Sequence, residues 1–259
     1  MSPWVYVRFV RRVGQEALGE PMSGTGGVAS LKRAAALCAI QFVESGMVIG
    51  LGGGSTAAEA IAALAEGLRS GRFHDVLGVP CSKRGAAQAT SLGIPLTDLR
   101  SGQMLDLTID GADEIALSLD LIKGGGGALL REKIIAQASR RLVIVADSSK
   151  LSPALGTNHA LPVEVLPFGW LNQRGFLESL GCQARLRRDN RGRPFLTDQR
   201  NFVLDCHFGP IASPYDLACR LEHRAGVIEH GLFLGMATDL VVAGPDGVRH
   251  RRLESARSQ

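Results

Sequence analysis

LDLTIDGADEIALSLDLIKGGGGALLREKIIAQASRRLVIVAD, residues 105–147, carries the pattern that decides the architecture. It opens on the apolar run LDLTID (105–110) and passes through a stretch of charge and glycine. A helical pattern follows over ALLREKIIAQAS (128–139), then RLVIVAD (141–147). Nearly continuous apolar strands alternating with helices indicate a parallel sheet covered on both faces. The alternation extends outwards. MVIGL (47–51) and DVLGVP (75–80) predict buried strands. Apolar residues at helical spacing (Leu31, Ala35, Cys38, Ala39, Phe42) predict a helix over 31–43. AAEAIAALAEGLRS predicts another, with Thr56 and Glu59 at capping-box spacing. A third is expected over 84–92.

From about residue 156 the texture changes. LPVEV, ARLRRD and PFLTDQRNFVLDCHF read as longer, more polar strands, and GVIEHGLF as a last one. Helices are expected over 170–180 and 214–224, the second with Ser213 as N-cap and Pro214 at its first position. MATDLVVAG (236–244) is parallel-type again, so the chain returns to the first sheet. The fold class expected is α/β: a doubly wound, mostly parallel, Rossmann-like sheet with a second, smaller α+β plait domain. The divisions are an N-terminal extension (1–22), a catalytic domain (23–155 plus 234–248), the small domain (156–233) and a basic C-terminal tail (249–259).

The net charge of +4 lies in the two tails. Residues 1–22 sum to +1 and residues 249–259 to +3, so the body is neutral. A nucleic-acid binder shows a basic stripe on its folded body, and this chain does not. The five cysteines form no CxxC and the six histidines no HxxxH or HxH spacing. Free thiols in a reducing cytoplasm and no metal site are the readings. The apolar, basic N-terminus is too short and too charged to span a membrane. It reads as a dispensable extension, with Met22 an alternative start.

Three motifs carry the chemistry. GLGGGST (50–56) joins a strand to a helix, and such a turn brings backbone N–H groups and a helix dipole to an anion. It is neither a P-loop nor a good dinucleotide loop; the bland alternative is a tight turn with an N-cap. DGADE (110–114) stands at the carboxyl end of a parallel strand, where open α/β sheets bind ligands. Asp110 or Asp113 is placed to handle hydroxyl protons there, against the alternative of an Asx-type turn. KGGGGALLREK (123–133) opens with four glycines, which lose much entropy on folding. An exposed row of N–H groups beside Lys123 suits a developing oxyanion; a flexible linker is the alternative.

Glu132 is the sharpest single residue. Its helical neighbours Ala128, Leu129, Ile135 and Ala136 are all apolar, which raises a carboxylate's pKa toward that of a general base working near neutrality. The alternatives are a glutamate favoured by the helix dipole or paired with Arg131 or Lys133. VADSSK (145–150) adds hydroxyls and Lys150 to the same sheet edge, while Cys81 reads as structural.

In this order GLGGGST, DLTIDGADEI, LIKGGGGALLREK, VADSSK, LPVEV, TDQRNFVLDCHF and VIEHGLF resemble ribose-5-phosphate isomerase of the A type, over about residues 31–242. The resemblance implies interconversion of ribose 5-phosphate and ribulose 5-phosphate through a cis-enediolate, without metal or cofactor. It further implies the non-oxidative pentose phosphate pathway, a cytoplasmic location and a homodimer or tetramer with no nucleic-acid or membrane partner. It makes Glu132 the base, and Asp110 and Lys123 the groups assisting ring opening and stabilising the enediolate. It puts the phosphate on Lys32, Ser55, Thr56 and Lys150, and sugar oxygens on the backbone of Gly124, Gly125 and Gly126. Gly53, Gly54, Gly111, Ala112 and Asp113 complete the implied binding set. Two departures stand out: Gly53 replaces the family's usual threonine, and TDQRN (197–201) replaces a glycine-containing turn, a change expected to affect assembly more than chemistry. A paralogue acting on another aldose phosphate and a sugar-phosphate sensor are the competing readings. The sensor would need a DNA-binding domain, for which some twenty N-terminal residues are too few, and could dispense with Glu132.

Overall fold

The computed structural model describes residues 27–100 and 102–253. Expectations for residues 1–22 and for 254–259 lie outside them.

The larger sheet is built from β1 (Val48–Leu51), β2 (Leu77–Pro80), β3 (Leu107–Asp110), β6 (Leu142–Asp147), β12 (Asp239–Gly244) and β13 (Gly247–Arg252). Their order is β13-β12-β6-β3-β1-β2, parallel except for β13, which pairs antiparallel with β12. Both faces are buried, as the unbroken apolar runs require. Along β6, Val143 and Val145 join one core with α1 (Val28–Ala39) and α2 (Gly54–Arg69), while Leu142, Ile144 and Ala146 join another with Ile115 and Phe233. β12 divides its side chains in the same way. α3 (Lys83–Ser91) follows β2, and α4 (Leu129–Gln137) precedes β6.

The smaller unit is a four-stranded antiparallel sheet, ordered β10-β7-β9-β8. Its strands are β7 (Leu161–Val165), β8 (Gln183–Leu186), β9 (Phe202–His207) and β10 (Val227–His230), covered by α5 (Trp170–Ser179) and α6 (Pro214–Glu222). Its core is separate and includes Val163, Leu177, Leu204 and Leu221. This is the α/β class with a second, smaller α+β unit.

Three expectations need correction. Thr56 and Glu59 form no capping box, because α2 begins at Gly54 with Gly53 as N-cap, placing Thr56 inside the helix. Residues 249–252, grouped with the tail on charge, belong to β13 and complete the sheet edge. GVIEHGLF is not one strand: Gly231 separates β10, in the small sheet, from β11 (Leu232–Phe233).

β11 pairs with β5 (Leu121–Ile122), which pairs with β4 (Glu114–Ile115). These two-residue strands are too short to leave a periodic signal. They fix where the chemistry-bearing loop lies, since β4 follows Asp113 and β5 precedes Lys123. Asp113 N–H donates to Ile122 O at 2.9 Å and Lys123 N–H to Gly231 O at 2.9 Å.

Candidate active site

The chain leaves β1 through α2 to β2 on one side, then places β3 on the other side of β1. The switch point between β1 and β3 opens a crevice at the carboxyl ends of the strands. The loop after β1 brings Gly53, Gly54, Ser55 and Thr56 to it, and the loop after β3 brings Gly111, Ala112 and Asp113. The β4–β5 hairpin delivers Lys123 and the glycines behind it, α4 delivers Glu132, and Lys32 and Lys150 close the rim. The cleft is open at its mouth and spans about 470 Å³ when the solvent there is counted.

At its floor lies a buried charge cluster. Lys123 is 2% exposed, and its Nζ stands 2.9 Å from Asp110 Oδ2 and 3.3 Å from Glu132 Oε2. The ammonium also donates to Gly111 O at 2.6 Å and lies 5.4 Å from the centre of the Phe233 ring. Burial alone would lower the Lys123 pKa; the carboxylates of Asp110 and Glu132 outweigh it and raise it, so the ammonium stays charged. Glu132 is 5% exposed, and its Oε2 lies within ion-pair distance of Lys123 without a hydrogen-bond partner. Burial pushes its pKa up to about 7, with Lys123 pulling down and Asp110 pushing up. Neither helical neighbour competes for it. Arg131 turns to Asp198 at 3.6 Å, and Lys133 pairs with Glu229.

Charge at the rim has the opposite sign. Lys32 donates to Ser55 Oγ at 2.8 Å, and neither Lys32 nor Lys150 pairs with a carboxylate among the described residues. Two cations with no carboxylate partner thus stand at the rim beside the first turn of α2, where a helix N-terminus favours negative charge.

The family model for ribose 5-phosphate isomerase A (phosphoriboisomerase A) matches residues 77–247. The chain belongs to the ribose 5-phosphate isomerase A family. It is 57% identical over 219 residues to ribose-5-phosphate isomerase A of Chloroflexus aurantiacus, covering 85% of this chain and 92% of the relative. It is 46% identical over 228 residues to the probable ribose-5-phosphate isomerase 2 of Arabidopsis thaliana, covering 85% of each. Among solved structures, the ribose 5-phosphate isomerase of Plasmodium falciparum superposes with a TM-score of 0.85 at 39% identity, covering 87% of this chain and 99% of that one. A D-ribose-5-phosphate isomerase in complex with phospho-erythronic acid gives 0.86 at 37% identity, covering 88% and 100%.

All the residues implied by the family resemblance except Asp110 line the one cleft. Asp110 is 1% exposed and lies under it. Its Oδ1 accepts from Gly53 N at 2.9 Å and Gly111 N at 2.7 Å, and its Oδ2 meets Lys123. Of the two aspartates in DGADE, Asp113 is therefore the one that faces the cleft. The tetraglycine row is also less open than its composition suggested. Gly125 N donates to Asp113 Oδ2 at 2.7 Å and Gly127 N to Gly124 O at 2.9 Å.

Both departures from the family pattern acquire a physical setting. Gly53 lies against the Glu132 carboxylate, so the missing threonine leaves room for it. In TDQRN, Thr197 and Asn201 donate to the buried Glu164 at 2.8 and 2.9 Å. Asp198 accepts from Lys83 N at 2.8 Å, joining the small unit to the start of α3. Cys81, read as structural, is buried beside Gly53. Burial first, then the charges of Asp110 and Glu132, raise its thiol pKa and keep it protonated. No helix among the described residues is long and apolar enough to cross a membrane.

Proposed function

We propose that this chain interconverts D-ribose 5-phosphate and D-ribulose 5-phosphate through a cis-enediolate, with Glu132 as the one base. A single observation carries the reading: a buried carboxylate with a pKa near neutrality shares the ammonium of Lys123 at the floor of a cleft with a cationic rim. Such a carboxylate is a base of matched strength at working pH. It removes the C2 proton of the open-chain aldose and returns it to C1.

The enediolate puts negative charge on O1 and O2. In the cis geometry both oxygens lie on one side, within reach of one ammonium. Lys123 serves there because Asp110 and Gly111 O hold it in place before the reaction begins, so little reorganisation is needed. Asp110 acts through Lys123 and the Gly53 and Gly111 amides. Asp113, at the cleft wall, exchanges protons with the sugar hydroxyls and assists ring opening. Lys32, Ser55, Thr56 and Lys150 hold the phosphate, and Gly124 and Gly126 meet sugar oxygens. Each positioned acid–base group contributes about 10²–10⁴ in rate. The neighbour bound to phospho-erythronic acid supports the substrate class, since that ligand also joins a phosphate to a short polyhydroxylated chain. In this reading the enzyme needs no metal or cofactor. It serves the non-oxidative branch of the pentose phosphate pathway in the cytoplasm, as a homodimer or tetramer.

The test is direct. Purified protein is assayed for conversion of ribose 5-phosphate to ribulose 5-phosphate in EDTA, and Glu132→Gln is expected to lose about 10³-fold or more in kcat. Normal turnover in that variant would sink the assigned base, and an inactive parent would sink the activity.

A further inference from the structure

Arg187 of the small antiparallel unit reaches the glycine loop that borders the cleft. Arg187, just beyond β8, points its guanidinium at the tetraglycine loop, and Nη1 donates to Gly124 O at 2.9 Å and to Gly125 O at 3.0 Å. The rest of the fork is held by Asp205 on β9, through Nε to Oδ2 at 2.9 Å and through Nη2 to Oδ1. The Phe195 ring lies 5.8 Å from the guanidinium. The same ring presses on the loop at Gly127, where a β-carbon would come within 2.4 Å of it.

The consequence follows from peptide geometry. All peptide bonds here are trans, so each C=O points opposite to the N–H of the next residue. Fixing the carbonyls of Gly124 and Gly125 therefore fixes the N–H groups of Gly125 and Gly126. The first meets Asp113 at 2.7 Å. The second belongs to a residue lining the cleft and donates to no acceptor among the described residues. A charged donor on the carbonyl side also polarises these peptides and strengthens their N–H groups as donors. Without the clamp, a run of four glycines has no side chains to hold one conformation.

We infer that Arg187 is a positioning residue for the reaction: it holds the tetraglycine loop so that the Gly126 N–H is aimed at the developing oxyanion. The inference rests on the isomerase reading for its consequence in rate, though not for its consequence in loop order. The clamp also explains why the catalytic loop is contacted from the small unit.

The test uses Arg187→Met and Arg187→Lys in the full chain. Lysine keeps the charge but not the planar fork that meets Asp205 and two carbonyls together. In both, kcat for ribose 5-phosphate is expected to fall about 10- to 100-fold. KM should stay within about threefold, because Lys32, Ser55, Thr56 and Lys150 are untouched. Hydrogen–deuterium exchange of the ligand-free protein should show faster exchange at residues 124–127. Folded variants with parental kcat, or with loss confined to KM, would overturn the positioning role. Unchanged exchange would overturn the clamp. An inactive parent would count against the isomerase reading alone, and exchange would still decide whether Arg187 orders the loop. Should Arg187→Met not fold, Arg187→Lys carries both readouts.

Discussion

Gly53 and Glu132 share one space: a β-carbon at position 53 would lie 2.4 Å from Glu132 Oε1. The obstacle is the end of a flexible side chain, so a substitution there is met by movement of the carboxylate. Cys81 Sγ, 3.5 Å from the same point, limits the room on another side.

Gly53→Ala is therefore expected to change stability by less than about 1 kcal/mol. It should lower kcat severalfold by turning Glu132 away from the substrate carbon. Gly53→Thr should show the same loss, with any gain from its hydroxyl appearing as a lower KM. Steady-state kinetics with a thermal melt for each variant separates these effects. A parental kcat in Gly53→Ala would mean that the carboxylate holds its productive position.

The raised pKa of Glu132 sets the sign of two pH effects. As the base, it must be ionised, so kcat/KM should rise with pH through about 7. The stability effect runs the other way. The folded pKa lies above the unfolded value of ~4.3, so the favourable contribution is present below that pH and is lost as pH rises through about 7. Glu132→Gln lacks this loss. Its melting temperature should gain on the parent from pH 5 to pH 8, and a constant difference would refute the raised pKa.

Lys123 holds two buried carboxylates, and removing it strands both. Lys123→Met is expected to cost about 3–5 kcal/mol at neutral pH and to abolish turnover. Adding Asp110→Asn should recover much of the stability and none of the activity. Denaturant titration of the single and double variants measures the coupling. A fully stable Lys123→Met would show that the cluster is not a source of strain when unpaired.

Arg200 has a φ of 65°, in the left-handed region where a β-carbon is disfavoured. It closes a tight turn, donating its N–H to Thr197 O at 2.8 Å. Arg200→Gly relieves about 1–2 kcal/mol of strain against about 0.5–1 kcal/mol of added chain entropy. The melting temperature should rise slightly, with kcat unchanged. Arg200→Val, β-branched, should destabilise, and a stable valine variant would exclude the strain.

The elements with long apolar patterns were legible because burial on both faces leaves an unbroken signature, as in β6 and β12. The motifs were legible because residue type reports chemistry directly: four glycines, a lysine and a glutamate facing apolar neighbours have few uses together. The capping box at Thr56 misled, since a spacing that permits a cap does not require one. The β4 and β5 strands left no trace, being two residues each.

The sequence by itself determined the α/β class, the smaller α+β unit, the family and nearly all the residues that line the cleft. Periodicity and residue type are local properties, and they suffice for these. Tertiary structure alone decided which charges meet. It put Asp110 under the cleft and Asp113 in its wall, gave Glu132 to Lys123 rather than to its helical neighbours, and brought Arg187 across to the glycine loop from 62 residues away. Ion pairs and desolvation depend on distances of a few ångströms between segments remote in sequence, and no spacing along the chain encodes them.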